Sequence, residues 1–455
     1  MFKLRFLAQP KGVRFSNKDM IVFFLPIFFE QLMLAGLSVA DTFMVSAKLG
    51  TTALAGVALV NRLDTFAKQF VLALAQGGSV VLAQYIGAED EEHAQKSLKN
   101  NIQIVVGLGV VFMLLMVFFK KQFITLFFGG AGQDVLAVTL KYFSITAFSY
   151  PFVALYYASS SLFRVMGESK IPFIGSVVMM GLNLGLKYIF IFKLNMGVTG
   201  AALSTLLAMG ITGTLLLLRL TLKRNKVRLV KPLKPDFDMV MSARILKISV
   251  PNGLEQAMFQ LGALILAGLV SGLGEDAINA DQLARNLTPL VYGISSAFVA
   301  LMLMVVGQCL GAGDIEEAER YKKHIIKMNH FFVVIMGVIF LIFAKPLISM
   351  FKVSPQSEEW TLYIVVLYTI GSALFYPRSF ATPSALRGAG DTKFVMVVSA
   401  ASMFAFRIGC AYICVHLFNM SVVGIWVAMV SDWVIRLIIF EHRFKKGKWK
   451  NNQVI

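Results

Sequence analysis

The sequence predicts an all-α polytopic membrane protein, with twelve transmembrane helices in two six-helix lobes related by a pseudo-two-fold axis along the membrane normal. Three observations carry that reading. The 455-residue chain is 57% hydrophobic and only 15% charged, at a mean hydropathy of +0.72, whereas soluble domains carry about 25% charged residues. Twelve apolar runs are long enough to cross a hydrocarbon core about 30 Å thick, which takes roughly 20 helical residues. Four segments of the first half recur, in order, in the second.

The first run, Met20 to Ser46, carries Glu30 and Asp41. Ionisable groups inside a span face the protein interior or a wet cavity and mark a substrate or ion pathway. Eleven residues of helix separate these two, about 1100° of rotation and about 16 Å of rise, so both carboxylates share one face. Pro26, one turn before Glu30, removes a backbone donor and predicts a kink. The plainer reading is that neighbouring helices satisfy both carboxylates, which then only hold the bundle together.

A second run spans Ala53 to Ile86, where Asp64 and Lys68 at i, i+4 read as a structural pair. Runs near 101–119, 136–160, 171–192 and 198–219 complete the first six. After a basic stretch come runs near 245–271, 277–310, 326–349, 360–383, 394–417 and 421–440. The predicted organisation is a tail at 1–19, an amino-terminal lobe at 20–220, a basic linker at 221–244, a carboxyl-terminal lobe at 245–441 and a tail at 442–455.

The formal net charge of +18 is concentrated outside the spans. Lys3, Arg5, Lys11, Arg14 and Lys18 precede the first run, Lys223 to Lys234 and Arg244 surround the linker, and Arg443 to Lys450 close the chain. By the positive-inside rule all three lie in the cytoplasm, which requires an even number of spans and a multi-pass protein of the cell membrane with both termini inside. The distribution also argues against a nucleic-acid partner. No cleavable signal peptide is expected, because the first run is too long and lacks a small-residue cleavage pattern. Cys309, Cys410 and Cys414 sit in apolar or membrane-edge segments and read as small hydrophobes rather than metal ligands.

The internal repeat is specific. LPIFFEQLM at 25–33 aligns with VPNGLEQAM at 250–258, matching Glu30 to Glu255 at an offset of 225. AQYIGAEDEEHA at 83–94 aligns with GQCLGAGDIEEA at 307–318, FRVMGESK at 163–170 with LRGAGDTK at 386–393, and NMGVTG at 195–200 with NMSVVG at 419–424. Even-numbered halves start on the same side of the membrane, which suits two lobes rocking about a central site. The acidic-then-basic segments after the second and eighth runs read as interfacial elbows. Arg164 and Arg387 read as caps on helix carbonyls beside the turns at Gly167 and Gly390, and so as structural gates.

Taken together, the twelve spans, the VADTFMV segment with Asp41, the Gln-x-x-Gly-Ala elbows, PNGLEQ and LRGAGDTK resemble the multidrug and toxic compound extrusion (MATE) transporters along the whole chain. That resemblance implies export of small organic molecules, driven by a proton or sodium gradient with no cofactor. It also implies coupling at the residues matching Asp41 and Glu255. Two departures bear on this. Where many members have Asn-x-x-x-Asp in the fifth span, this chain has Asn183 and Lys187. A cation there repels sodium, so a proton is favoured, with Lys187 pairing to Asp41 in one state and releasing it when Asp41 is protonated. A permanent ion pair is the plainer alternative. Where some members carry an acid in the tenth span, this chain has Tyr376, Pro377 and Arg378, and Arg378 is placed against an anionic substrate group or Glu255.

The expected ion-coupling set is Asp41, Glu255, Glu30, Asn183 and Lys187. The expected substrate-binding set is Gln31, Met33, Gln256, Met258, Gln260, Gln282, Tyr376 and Arg378, the methionines supplying adaptable walls. The partners implied are a small amphipathic compound and the lipid bilayer, with one chain sufficing as a monomer. A flippase or exporter of an anionic lipid-linked substrate is the nearest alternative, since Lys187, Arg378, Arg407 and Arg436 are cations within spans. An enzyme is disfavoured by the lack of HExxH, Gly-x-Ser-x-Gly or Gly-Lys-Ser/Thr motifs. An ATP-driven pump has no room for a nucleotide domain, and a channel would show uncoupled current.

Overall fold

The computed structural model describes residues 14–128, 132–230, 237–351, 353–452 and 454–455. Lys3, Arg5, Lys11, Lys231 and Lys234 of the predicted basic segments lie outside the described residues. What is described is mostly helical, and apart from the short helical segments Lys120–Phe128 and Lys448–Asn451 the helices follow the twelve runs. They are α1 (residues 17–49), α2 (Thr52–Gly87), α3 (Glu91–Phe118), α4 (Gln133–Thr146 continued by Tyr150–Val165), α5 (Lys170–Lys193) and α6 (Gly197–Leu220). The second six are α7 (Met239–Ser271), α8 (Glu275–Leu287 continued by Pro289–Gly311), α9 (Ile315–Ser349), α10 (Pro355–Leu374 continued by Tyr376–Gly388), α11 (Thr392–His416) and α12 (Ser421–Lys445).

Nine of these are uninterrupted apolar spans by length and composition, and the halves of α10, bent by 50°, make a tenth. Of the other two, α4 is divided by a 3-10 turn at Ala147–Ser149, and α1 carries Glu30 and Asp41 within its apolar run. The helix runs on through Pro26, and its non-helical residue is Gly50, at φ 78°.

The charged segments expected as interfacial elbows are instead the first turns of α3 and α9. The Asp90 carboxylate accepts from the His93 amide at 3.0 Å, and Asp314 accepts from Glu317 at 2.8 Å. Each cap satisfies an amide that the first turn leaves without a partner, so the spanning helix starts there without an intervening segment.

The repeat seen in four short segments extends to the backbone. Gly50 and Gly274, Glu89 and Gly313, Gly167 and Gly390, Asn195 and Asn419, and Gly197 and Ser421 all take positive φ, each pair 223 or 224 positions apart. Two spans also contain π turns, at Tyr188–Lys193 directly after Lys187 in α5, and at Ser402–Ile408, which includes Arg407, in α11. Such turns are frequent at functional sites.

The chain forms two compact units, one comprising residues up to Phe28 with Leu254–Ile455, the other Phe29–Gly253. Both seams fall inside a spanning helix, α1 and α7. Within the Phe29–Gly253 unit, α2 meets the first part of α7 so closely that a Cβ on Gly77 would lie 2.3 Å from the Ser249 Cα. Ser249 Oγ donates there to the Leu74 carbonyl at 2.9 Å. In the other unit the first turns of α1 are held by Phe24, which stacks on Phe298 with centroids 4.5 Å apart. Phe15 adds a backbone amide donated to the Tyr321 hydroxyl at 2.8 Å.

Candidate functional site

Each unit holds one ion pair built from repeated residues. Arg164 Nη2 donates to both oxygens of the buried Glu30, at 2.9 and 2.8 Å. Arg387 Nη2 does the same to the buried Glu255, at 2.7 and 2.8 Å. The two arginines therefore neutralise carboxylates rather than cap helix carbonyls. Nor does Arg378 reach Glu255: it is exposed and lines a separate basic cavity.

Beyond that shared pair the units differ. In the Phe29–Gly253 unit, Lys187, fully buried, forms an ion pair with Asp41. Asp41, Asp64, Lys68, Asn61 and Asn183 line one small cavity of about 100 Å3. Asp64 lies 3.9 Å from Lys68 Nζ and accepts from the Tyr150 hydroxyl at 2.7 Å. Asn183 Nδ2 donates to Thr205 Oγ1 at 3.3 Å, while its own carbonyl oxygen has no partner among the described residues. Two carboxylates thus face two ammonium groups. Glu30 and Asp41, expected on one face, each meet a partner from a different helix, Arg164 of α4 and Lys187 of α5.

In the other unit the unshared charges are mostly cationic. The buried Arg436 lies over the rings of Phe259, Phe380 and Phe440 at 5.1, 5.0 and 5.7 Å. Its Nη2 donates to Ser399 Oγ at 3.3 Å. Asp432 accepts from the Ser402 hydroxyl, yet Asp432 Oδ2, Arg407 Nε and Arg436 Nε and Nη1 have no hydrogen-bond partner among the described residues. Asp281 is engaged by Arg285 at 2.6 Å and by the Trp426 indole at 3.0 Å.

Of the expected substrate residues, Tyr376 stacks on Phe380 with centroids 4.0 Å apart and meets Trp433 edge-on at 5.1 Å. Gln31 and Met33, and in the other unit Gln256, Met258 and Gln260, are half-buried on α1 and α7. Gln282 is exposed on the first part of α8 and donates to Asn286 at 3.4 Å. Tyr142, Thr205 and Asn61 line the Asp41 cavity without having been singled out from the sequence. The sequence reads Asp64 only as the partner of Lys68, and the Tyr150 hydroxyl that donates to it lies 86 residues away.

The profile of the MatE family matches the chain twice, over residues 26–189 and 251–413. The chain belongs to the MatE family. As a member it is a secondary transporter embedded in a membrane, not an enzyme. Among MatE relatives, it is 26% identical to "Probable multidrug resistance protein NorM" of Thermotoga maritima, over 96% of this chain and 94% of that one. The fold matches a MATE crystal structure in complex with MaL6, with TM-score 0.88, 21% identity and 98% of both chains covered. It also matches a MOP superfamily transporter from Pyrococcus furiosus, described as having a binding pocket of reverse polarity, with TM-score 0.87, 21% identity and 98% of both chains covered.

Proposed function

We propose that this MatE transporter exports small amphipathic organic compounds in exchange for protons, with Asp41 and Lys187 as the coupling pair. The observation that carries the reading is a balanced group of charges: Asp41, Asp64 and Lys68 line one cavity, and Lys187 is paired with Asp41. A sodium ion entering there would meet a buried ammonium already holding the carboxylate, and its charge would be added to a site that is already neutral. A proton needs no such room: it neutralises Asp41, removes the attraction to Lys187 and leaves a buried cation that must find another partner. That shift in charge is a physical route from protonation to a change of state. Asn183 and the π turn at Tyr188–Lys193 would let the end of α5 move with Lys187.

In this reading Glu30 and Glu255 hold the bundle through Arg164 and Arg387. The half-buried Gln31, Met33, Gln256, Met258 and Gln260 supply a soft, partly polar lining, and the name of the Thermotoga maritima relative supports drugs as cargo. Single chains act as monomers, with lobes at 20–220 and 245–441, the linker at 221–244 and both termini in the cytoplasm. A second reading, export of an organic anion, is favoured by Arg407 Nε and Arg436 Nε and Nη1, buried donors that lack partners among the described residues.

Efflux of a fluorescent organic cation from oriented proteoliposomes tests this, with a pH gradient and a sodium gradient imposed separately. The pH gradient alone drives wild-type efflux, and Asp41→Asn and Lys187→Gln each reduce it at least tenfold. Efflux driven by sodium alone, or an Asp41→Asn variant that behaves like wild type, would sink the proposal. Transport of a fluorescent organic anion in place of the cation would favour the second reading.

A further inference from the structure

The unit that contains the second repeat holds a cavity of about 710 Å3 between α9, α10 and α12, whose wall includes Lys322, Lys323, Lys327, Arg378, Glu441 and Lys445. It lies where α9 begins and α12 ends, the side on which the proposed topology puts the cytoplasm. Its acids are already engaged. Glu441 accepts from Lys322 Nζ and from Thr382 Oγ1, each at 2.6 Å, and Glu319 is paired with Lys450 at 2.7 Å. Lys323, Lys327, Arg378 and Lys445 are exposed and form no ion pair among the described residues; only Glu441, already held by Lys322, also feels the charge of Arg378. The concave surface therefore carries a clear excess of positive charge.

The fold does not require this concentration of charge. At the repeat offsets of 223 and 224, Lys322 corresponds to Leu98, Lys327 to Gln103, Arg378 to Leu155, Glu441 to Leu217 and Lys445 to Thr221, while Lys323 keeps a basic counterpart in Lys99. The first repeat builds the same three helices with mostly uncharged residues there, so the charges answer to something other than packing. Immediately beyond the cations the surface turns apolar. Phe331 is one turn past Lys327 and Val334 about two, Leu374 ends the first half of α10 just before the bend that leads to Arg378, and Ile438 lies in the wall itself. All four are exposed, Leu374 by 57% and Ile438 by 59%. A basic concavity that opens on an apolar face is the pattern expected of a polar–apolar ligand held at a membrane interface. A soluble phosphate compound would have no use for the apolar strip.

We propose that this cavity binds the phosphate headgroup of an anionic phospholipid of the cytoplasmic leaflet, with its acyl chains lying along Phe331, Val334 and Leu374. Ammonium and guanidinium groups that converge on phosphate oxygens form charge-assisted hydrogen bonds, and basic pockets between helices on this side of a membrane suit such headgroups. The site is separate from the Asp41 cavity, so its test does not depend on transport.

The test is native mass spectrometry of the purified full chain in detergent, titrated with phosphatidylglycerol, with phosphatidylcholine, or with sodium phosphate. Phosphatidylglycerol is expected to stay bound where phosphatidylcholine is lost, and millimolar phosphate is expected not to displace it. The triple variant Lys323→Gln/Lys327→Gln/Arg378→Gln should bind phosphatidylglycerol about 100-fold more weakly, at roughly a factor of five per cation. Changing three exposed cations elsewhere, Lys121, Lys141 and Lys193, to Gln should leave binding intact. If the triple variant melts early, Arg378→Gln alone carries the test with an about fivefold loss. Equal retention of the two lipids, or undiminished binding by the variant, would overturn the proposal. Displacement by phosphate would overturn it too, assigning the cavity to a soluble phosphate compound.

Discussion

The two units share one ion pair and differ in every other charge buried within their spans, and that contrast separates scaffold from function. Glu30–Arg164 and Glu255–Arg387 occur at matching places, with matching geometry, in both repeats. A feature kept twice in the same form serves what the repeats have in common, which is a six-helix fold. Asp41, Asp64, Lys68 and Lys187 have no charged counterparts: at an offset of 224 the second repeat places Ile265, Thr288, Tyr292 and Ala411. In the other direction, Arg407, Asp432 and Arg436 correspond to Asn183, Ala208 and Thr212. Only the unshared charges can give the units different tasks. One unit balances its unshared charges, and the other leaves donors of its unshared Arg407 and Arg436 unfilled among the described residues.

The strongest way to break this division is to neutralise a shared and an unshared carboxylate side by side. Glu30→Gln and Glu255→Gln should retain proton-driven efflux within about threefold per folded molecule, while Asp41→Asn loses it, as read by dye efflux normalised to monodisperse protein. An abolished flux in Glu255→Gln would move that residue from scaffold to coupling.

Next comes the equivalence of the two shared pairs. Removing one partner strands a buried charge, so Arg164→Leu and Arg387→Leu should each cost about 3–5 kcal/mol, whereas replacing both partners of one pair by apolar residues should cost far less. Thermal unfolding in detergent reads both, and a large difference between the two single variants would break the symmetry.

A smaller effect sharpens the contrast. Tyr150→Phe removes the hydroxyl that Asp64 accepts, a hydrogen bond to a charged group worth about 1.5–3 kcal/mol. The loss should appear in unfolding and in efflux together, because Asp64 shares its cavity with Asp41.

The least effect is at the helix starts, where the repeats are alike again. Asp90→Ala and Asp314→Ala each remove an N-cap and should cost about 1 kcal/mol apiece. For Asp90 the amide of His93 holds the carboxyl below its usual range. Its contribution is therefore present above the ordinary carboxylate pKa and is lost as pH falls through the lowered one. The gap in melting temperature between wild type and Asp90→Ala should accordingly close in acid.

Much of this architecture was legible in the sequence, because a bilayer makes helix length and apolarity almost the whole signal. Asp41 and Lys187 were legible as a pair because a cation replaces an expected anion in the fifth span. The Glu–Arg pairs were not, although the motifs that carry them, LPIFFEQ with FRVMG and VPNGLEQ with LRGAG, recur together at nearly equal separations of 134 and 132 residues. Two motifs that repeat as a set are a hint of contact, and each was read alone. The charged segments at Glu91 and Ile315 misled because their amphipathic pattern also fits an element lying on the membrane, and an N-cap at Asp90 or Asp314 decides for a helix that continues into a span. Tyr150 and Thr205 carry no such pattern, and only the folded chain brings them to Asp64 and Asn183.

The paired left-handed residues bear on descent. Five turns keep the same handedness in both halves, yet the side chains at two of them have diverged: Glu89 stands where the other half has Gly313, and Ser421 where the first has Gly197. A residue with a Cβ is strained in that conformation and glycine is not. A gene duplicated from one ancestral half would inherit its turns along with everything else, and later substitution could erase the residue but not the bend, because moving the bend would misplace a whole helix. The backbone here preserves an ancestry that the letters of the two halves have largely lost.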